Sequence, residues 1–307
     1  MTALDRIRLT APLPNHGGIN GMRAYIDVSL VVLFWGVSFI ATKYAVHEFS
    51  PSLVALMRFL ISYLFLGVIT RWKRYPLRKD AILAGLWGIT VYFFGENTGL
   101  KFTTPSNASI IVSTAPVITA IFLDVIRRRF RFMEYLASFV SFMGVAFVVY
   151  NGRVNLGINP LGDMLVMLAA FAWAVYTLHV SKVSRSENTL FTRQLTFWGC
   201  VFLIPLIVAE KLFYGQAFIV SPSVKGLISV IFLGLVASGL GYLLWNRAIS
   251  VLGAKKVTNA IYLIPLVTVM ADWVVFSNKP GFLLIAGAIL VILGLIMLFK
   301  YVKEVRN

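Results

Sequence analysis

The sequence predicts an all-α integral membrane protein whose ten transmembrane helices form two inverted five-helix repeats. Three observations predict this: an apolar composition, apolar runs of about 20 residues along the whole chain, and a register of self-similarity between its halves. Of the 307 residues, 59% are hydrophobic and 13% charged, about half the roughly 25% charge of a soluble globular protein. Mean hydropathy is +0.84. So few charges cannot cover a water-soluble body of this size.

The runs lie at about 24–46, 52–70, 80–99, 105–126, 132–150, 160–181, 189–210, 223–246, 254–276 and 280–300. Short connectors rich in Pro, Gly, Asn and basic residues separate them, such as Arg71–Asp80, Arg127–Arg131 and Asn151–Pro160. No run shows sustained apolar/polar alternation, which disfavours a β-barrel. Residues 1–23, with Pro12, Pro14, Gly17 and Gly18, read as a flexible N-terminal tail, and 301–307 as a C-terminal one. The first run, Tyr25 to Val46, exceeds a signal-peptide core and lacks an Ala-x-Ala site after it, so it reads as a retained helix. The connector Ser277-Asn278-Lys279-Pro280 is short enough to make the last two helices antiparallel neighbours. Cys200, the only cysteine, lies inside the seventh run and reads as a packing residue.

The chain holds 28 Lys and Arg against 12 Asp and Glu, a net charge of +16. Counted by connector, 20 of the 28 fall on one side: the N-terminal tail, the connectors after runs two, four, six and eight, and the C-terminus. Five fall on the other side, and Lys43, Arg58 and Arg193 lie within runs. The positive-inside rule then places both termini in the cytoplasm, the protein in the cytoplasmic (inner) membrane, and the basic clusters against anionic lipid. Basic residues that alternate with spans do not make a nucleic-acid-binding face, so no nucleic-acid partner is expected.

Shifted by 149, runs three and four fall on runs eight and nine: Asn97 lands on Asn246, Pro116 on Pro265 and Thr119 on Thr268. Shifted by 138, Trp35 falls on Trp173, and with one residue of slippage Gly144 matches Gly294. Five helices are an odd number, so a duplicated copy enters the membrane from the opposite side. The halves are residues 24–150 and 151–300.

These residues resemble a family. Gly99-Leu100-Lys101-Phe102-Thr103-Thr104-Pro105-Ser106-Asn107-Ala108-Ser109, running on to Ala115-Pro116-Val117, is similar to the end of helix 3 and helix 4 of EamA-type transporters, of the drug/metabolite transporter superfamily. Arg247-Ala248-Ile249-Ser250-Val251-Leu252-Gly253-Ala254, running on to Pro265, resembles the matching piece of the second repeat. Trp35-Gly36-Val37-Ser38-Phe39 and Arg58-Phe59 also fit, so the resemblance spans about 24–300. It implies two five-helix bundles around a central cavity lined by helices 1, 3, 4, 6, 8 and 9. It also implies transport, often efflux, of small organic metabolites such as amino acids.

Candidate cavity residues are those that share faces of these helices. In run nine Thr258, Tyr262, Pro265, Val269 and Asp272 recur at steps of four and three, a single helical face. Ser109, Ser113 and Pro116 are their mates in run four. Packing between helices is the alternative use of such small and hydroxyl residues. Trp35 and Ser38 share a face in run one, Trp173 and Tyr176 in run six. Run three offers Tyr92, run eight Trp245. Aromatic walls with a few polar groups suit a small organic ligand with an apolar or aromatic part, and Asn97, Asn246 and Asn259 are candidate amide partners.

Ionisable groups inside a membrane are costly and are either paired or functional. Arg58 and Glu96 read as a structural ion pair or, alternatively, Glu96 as a proton-coupling carboxylate. Asp272 and His179 are further coupling or gating candidates, and Asp124, just before Arg127–Arg129, reads as an interfacial salt-bridge partner rather than a carrier. There is no Walker P-loop, the three histidines lack metal spacing, and one cysteine makes no thiolate cluster, so no cofactor, metal or enzymatic activity is expected. Gly95 and Gly99 make a GxxxG that reads as close helix packing. The expectation is a secondary exporter of amino acids or related metabolites, working as a monomer, with a dimer also compatible. The alternatives are a proton-coupled importer or exchanger of a nucleoside, sugar or drug, and a lipid flippase.

Overall fold

Runs of apolar residues bounded by proline and polar caps fold as helices, and helices are what the chain contains. The computed structural model describes residues 19–99, 102–103, 105–150, 159–214, 223–276 and 281–301, with no β-strand among them. The helices are α1 (Ile19–Glu48), α2 (Pro51–Ile69), α3 (79–99), α4 (105–127), α5 (Phe132–Tyr150), α6 (Pro160–Val180), α7 (Asn188–Tyr214), α8 (224–252), α9 (254–276) and α10 (Phe282–Tyr301). Among the described residues, nine are long and apolar enough to cross a membrane. The exception is α3, which carries Glu96, Asn97 and Thr98 near its end and is the less apolar for it. The protein is a multi-pass membrane protein. One boundary differs from expectation: α1 begins at Ile19, so residues 19–23 are helix rather than tail.

Local chemistry sets several starts. Ser50 precedes Pro51, whose fixed φ and missing N–H suit a first helical turn. Asn159 accepts a bond from Gly162 N (3.1 Å) ahead of Pro160, and Ser223 accepts one from Gly226 N (3.1 Å). Four helices carry irregular turns, and these come in repeat-related pairs. Leu86–Val91 of α3 and Leu233–Leu240 of α8 are π-helical. Helix α4 breaks at Ser113–Thr114, and α9 tightens to a 3-10 turn at Ala260–Leu263. The shift of 149 carries 113–114 onto 262–263 and 86–91 onto 235–240.

The halves interlock. Helix α1 packs on α8 and α9, and its counterpart α6 packs on α3 and α4. Between α3 and α6 the contact is backbone-close: a Cβ on Gly95 would lie 2.5 Å from the Leu165 carbonyl oxygen, and Gly99 faces Gly162. Helix α5 lies along α10, where a Cβ on Gly144 would meet Val291 N at 2.6 Å. In lipid there is no hydrophobic drive between helices, so such close van der Waals packing holds them. Cys200 is buried on α7 and packs, as expected.

Charged residues tie the helices together at the basic end. Arg247 of α8 pairs with Asp27 of α1. His179 Nδ1 and Lys182 Nζ lie 2.7 and 3.0 Å from Asp80 Oδ1. Arg78 reaches Glu187 at 3.3 Å. Lys255, at the start of α9, pairs with Asp124 of α4 and Glu134 of α5. Tyr135 also donates to Asp124 (2.8 Å), so Asp124 is a salt-bridge partner as expected, with Lys255 as its cation. At the opposite end Ser223 N donates to Glu48 (2.7 Å) and Thr103 Oγ1 to Asp163 Oδ1 (2.7 Å).

Candidate functional site

Both halves send aromatic rings to one place in the membrane interior. Trp35 of α1 lies edge-on to Trp173 of α6 at 5.2 Å between centroids, and 4.8 Å from Trp245 of α8. Tyr92 of α3 stands 5.3 Å from Trp173, and Tyr176 is 4.8 Å from it. Tyr242, Phe59 and Phe93, which the sequence reading did not select, complete the cluster; Phe59 is 5.2 Å from Phe93 and 5.3 Å from Tyr242. They sit inside apolar runs with no change in polarity to mark them, although Phe93 and Tyr242 are themselves related by the shift of 149.

The π turns supply polar backbone to this cluster. Trp35 Nε1 donates to Ala237 O (2.9 Å), and Tyr242 OH donates to Gly88 O (2.8 Å). Tyr176 donates to Asn246 Oδ1, and Asn246 Nδ2 donates to Thr192 Oγ1 (3.0 Å). By contrast, the indole N–H groups of Trp173 and Trp245 are buried without a partner among the described residues. An unpaired buried donor costs about 1–3 kcal/mol, and this aromatic cluster holds two of them.

Two charges border the cluster. Arg58 of α2 is 5% exposed; its guanidinium lies 4.8 Å from the Phe93 centroid and its Nε donates to Ser238 Oγ at 2.7 Å. Glu96, one turn beyond Phe93 on α3, accepts a 3.4 Å bond from Tyr92 OH. The two charges are within electrostatic reach, yet they do not form the direct ion pair expected from the sequence. Arg58 leans on Ser238 and the aromatic faces instead.

The remaining candidates are placed elsewhere. Ser38 bonds back to Trp35 O (2.8 Å), and Asn97 Nδ2 donates to Pro51 O (3.3 Å). Ser113 is buried at the break of α4, and Asn259 is buried beside the 3-10 turn. Tyr262 is fully buried in a second cluster with Val145, Val291 and Leu295, against α5 and α10. His179 belongs to the Asp80–Lys182 group at the basic end. The side chains of Ser109 and Asp272 lie outside the described residues. A separate apolar cavity of about 500 Å³ opens beside Tyr135, Phe139, Phe142 and Met167.

Interlocked halves that both contribute to one intramembrane aromatic site, with unpaired polar groups at its edge, define a membrane transport protein. The model of the EamA-like transporter family matches the chain twice, at residues 22–150 and 160–300, and the chain belongs to that family. It is a transporter and not an enzyme. The chain is 30% identical over 291 residues to the uncharacterized transporter YyaM of Bacillus subtilis, covering 90% of this chain and 93% of that one. An uncharacterized transporter of Archaeoglobus fulgidus is 28% identical over 282 residues, 89% of this chain and 96% of its own. A Salmonella typhimurium protein named "Probable amino-acid metabolite efflux pump" is 25% identical over 278 residues, 87% and 91% of the two chains. A crystal structure of a protein 18% identical shares the fold, with a TM-score of 0.72 over 89% of this chain and 95% of that one.

Proposed function

We propose that the protein is a ten-helix secondary transporter of the cytoplasmic membrane that exports amino acids or related small metabolites. In this reading α1–α5 and α6–α10 are inverted repeats, both termini are cytoplasmic, and one chain supplies a complete pathway. The observation that carries it is the convergence of Trp35, Tyr92, Trp173, Tyr242 and Trp245 from both halves, with irregular turns on the four helices α3, α4, α8 and α9. An aromatic wall with few polar groups suits a small amphipathic molecule. The relative named as an amino-acid metabolite efflux pump supports the substrate class. Alternating access follows when the halves rock about this site: ion pairs join them at the basic end in the present conformation, and their release opens that end. Purified protein in liposomes should exchange labelled amino acids across the membrane; no movement of any amino acid under any gradient refutes the reading.

A second reading, proton-coupled movement, is favoured by one observation: Glu96 is an intramembrane carboxylate with no cation at ion-pair distance among the described residues. Its signature is uphill movement driven by an imposed pH gradient and abolished by Glu96→Gln.

A further inference from the structure

We propose that Arg58 and Glu96 are a clamp for the two ends of a zwitterionic α-amino acid, with its side chain lying along Tyr92, Phe93, Trp173 and Tyr242. This rests on the central cluster being the transport site. Opposite charges placed near each other in a low-dielectric interior ordinarily close into contact, since separation leaves both poorly compensated. These two do not close. Arg58 is anchored by its Nε bond to Ser238 and by the faces of Phe93 (4.8 Å) and Phe59 (5.5 Å). Glu96 is tethered by Tyr92 OH at 3.4 Å. Each anchor comes from the wall of the site, so the gap between the charges is a property of the packing.

A ligand that bridges the gap must be negative toward Arg58 and positive toward Glu96. A carboxylate can accept from the guanidinium nitrogens that Ser238 leaves over, and an ammonium can donate to the Glu96 carboxylate. An α-amino acid carries both charges on one small molecule, so it can offer its carboxylate to Arg58 and its ammonium to Glu96. Phe93 adjoins both: Arg58 covers its ring and Glu96 follows it by three residues on the same helical face. A side chain projecting from the clamped α-carbon then meets Phe93, Tyr92 (5.1 Å from Phe93) and Trp173 (5.3 Å from Tyr92). That chain of rings selects an apolar or aromatic side chain.

The test is binding and flux measured separately on the full chain. Binding to purified protein is compared for L-phenylalanine and L-leucine, for 2-phenylethylamine, which lacks the carboxylate, and for 3-phenylpropionate, which lacks the ammonium. The zwitterions should bind and each truncated analogue should bind at least about tenfold more weakly, the loss of one charged hydrogen bond. Arg58→Gln should bring phenylalanine down to phenylethylamine, Glu96→Gln should bring it down to phenylpropionate, and Arg58→Lys should keep the ranking. The analogue series on the unaltered protein stands if a variant does not fold. Equal binding of the three phenyl compounds, no binding of either zwitterion, or an unchanged ranking in both glutamine variants overturns the clamp. Glu96→Gln that abolishes pH-driven movement but preserves the ranking overturns it too. Binding with the expected ranking but without flux leaves the clamp standing and refutes amino-acid transport instead.

Discussion

The Trp35 indole donates to the carbonyl oxygen of Ala237 at 2.9 Å, and that carbonyl belongs to a π-helical turn. Its counterpart 149 positions earlier, Gly88, also lies in a π turn and receives the hydroxyl of Tyr242 at 2.8 Å. A wide turn gives up regular backbone pairing, and in each half an aromatic donor from another helix restores it. The aromatic cluster and the helix irregularities are thus one construction.

Replacing Trp35 with Phe should therefore cost more than replacing Trp173 with Phe, although both remove the same ring volume. Trp35→Phe strands the Ala237 carbonyl, whereas Trp173→Phe removes a donor that has no partner among the described residues. A difference of about 1–3 kcal/mol is expected, read as separate unfolding midpoints in the same detergent. Equal midpoints would remove the structural role of the Trp35 bond.

Lys255 lies between two carboxylates that are almost wholly buried, Asp124 at 2% and Glu134 at 4% exposure. Lys255→Met should destabilise by about 3–5 kcal/mol, because it leaves the buried Asp124 with no cation and Glu134 with Arg131 alone, at 3.5 Å. Asp124→Asn, Glu134→Gln and Lys255→Met combined should recover most of that loss. Thermal unfolding of the single and triple variants decides it.

Close approach of α5 and α10 leaves no room for a side chain at Gly144. Gly144→Leu should lower stability by about 1–3 kcal/mol or prevent accumulation of folded protein. Met164→Leu, at a site 71% exposed on α6, should change it by less than about 0.5 kcal/mol. Fluorescence-detected size exclusion on heating separates the two.

Orientation can be read with single cysteines after Cys200→Ser. A cysteine at Arg128, exposed at the end of α4, should react with an impermeant maleimide only after cells are opened, and one at Lys225, at the start of α8, in intact cells. The reverse pattern would invert the proposed topology.

The helices were legible because each span is a long apolar run, and the twofold family match echoes the register that aligned Pro116 with Pro265. The aromatic site was legible in part. Trp35, Trp173 and Trp245 stand out as bulky residues near mid-span, and they do meet. Tyr262 was grouped with Thr258 and Asp272 by counting 100° per residue, but the 3-10 turn at Ala260–Leu263 winds more tightly. Tyr262 instead packs against α5 and α10. Asn97 and Asn246 look available in sequence, yet each is engaged by another helix: Pro51 O for the first, Tyr176 and Thr192 for the second. Periodicity shows which residues share a face but not what stands opposite, so the Arg58–Ser238 bond left no trace in the pattern.

The ion pairs at the basic end are unequal in one respect that matters for the surrounding medium. The side chains of Arg78 and Glu187 are 34% and 36% exposed, and those of Lys182 and Asp80 39% and 27%. Lys255 and Asp124 are only 12% and 2% exposed. Dissolved ions shield the first two pairs and hardly reach the third. Raising ionic strength therefore loosens the rim before it touches the Lys255 fastening. Salt concentration becomes a dial that shifts the closure onto its buried carboxylates, Asp124 with Lys255 and Asp27 with Arg247.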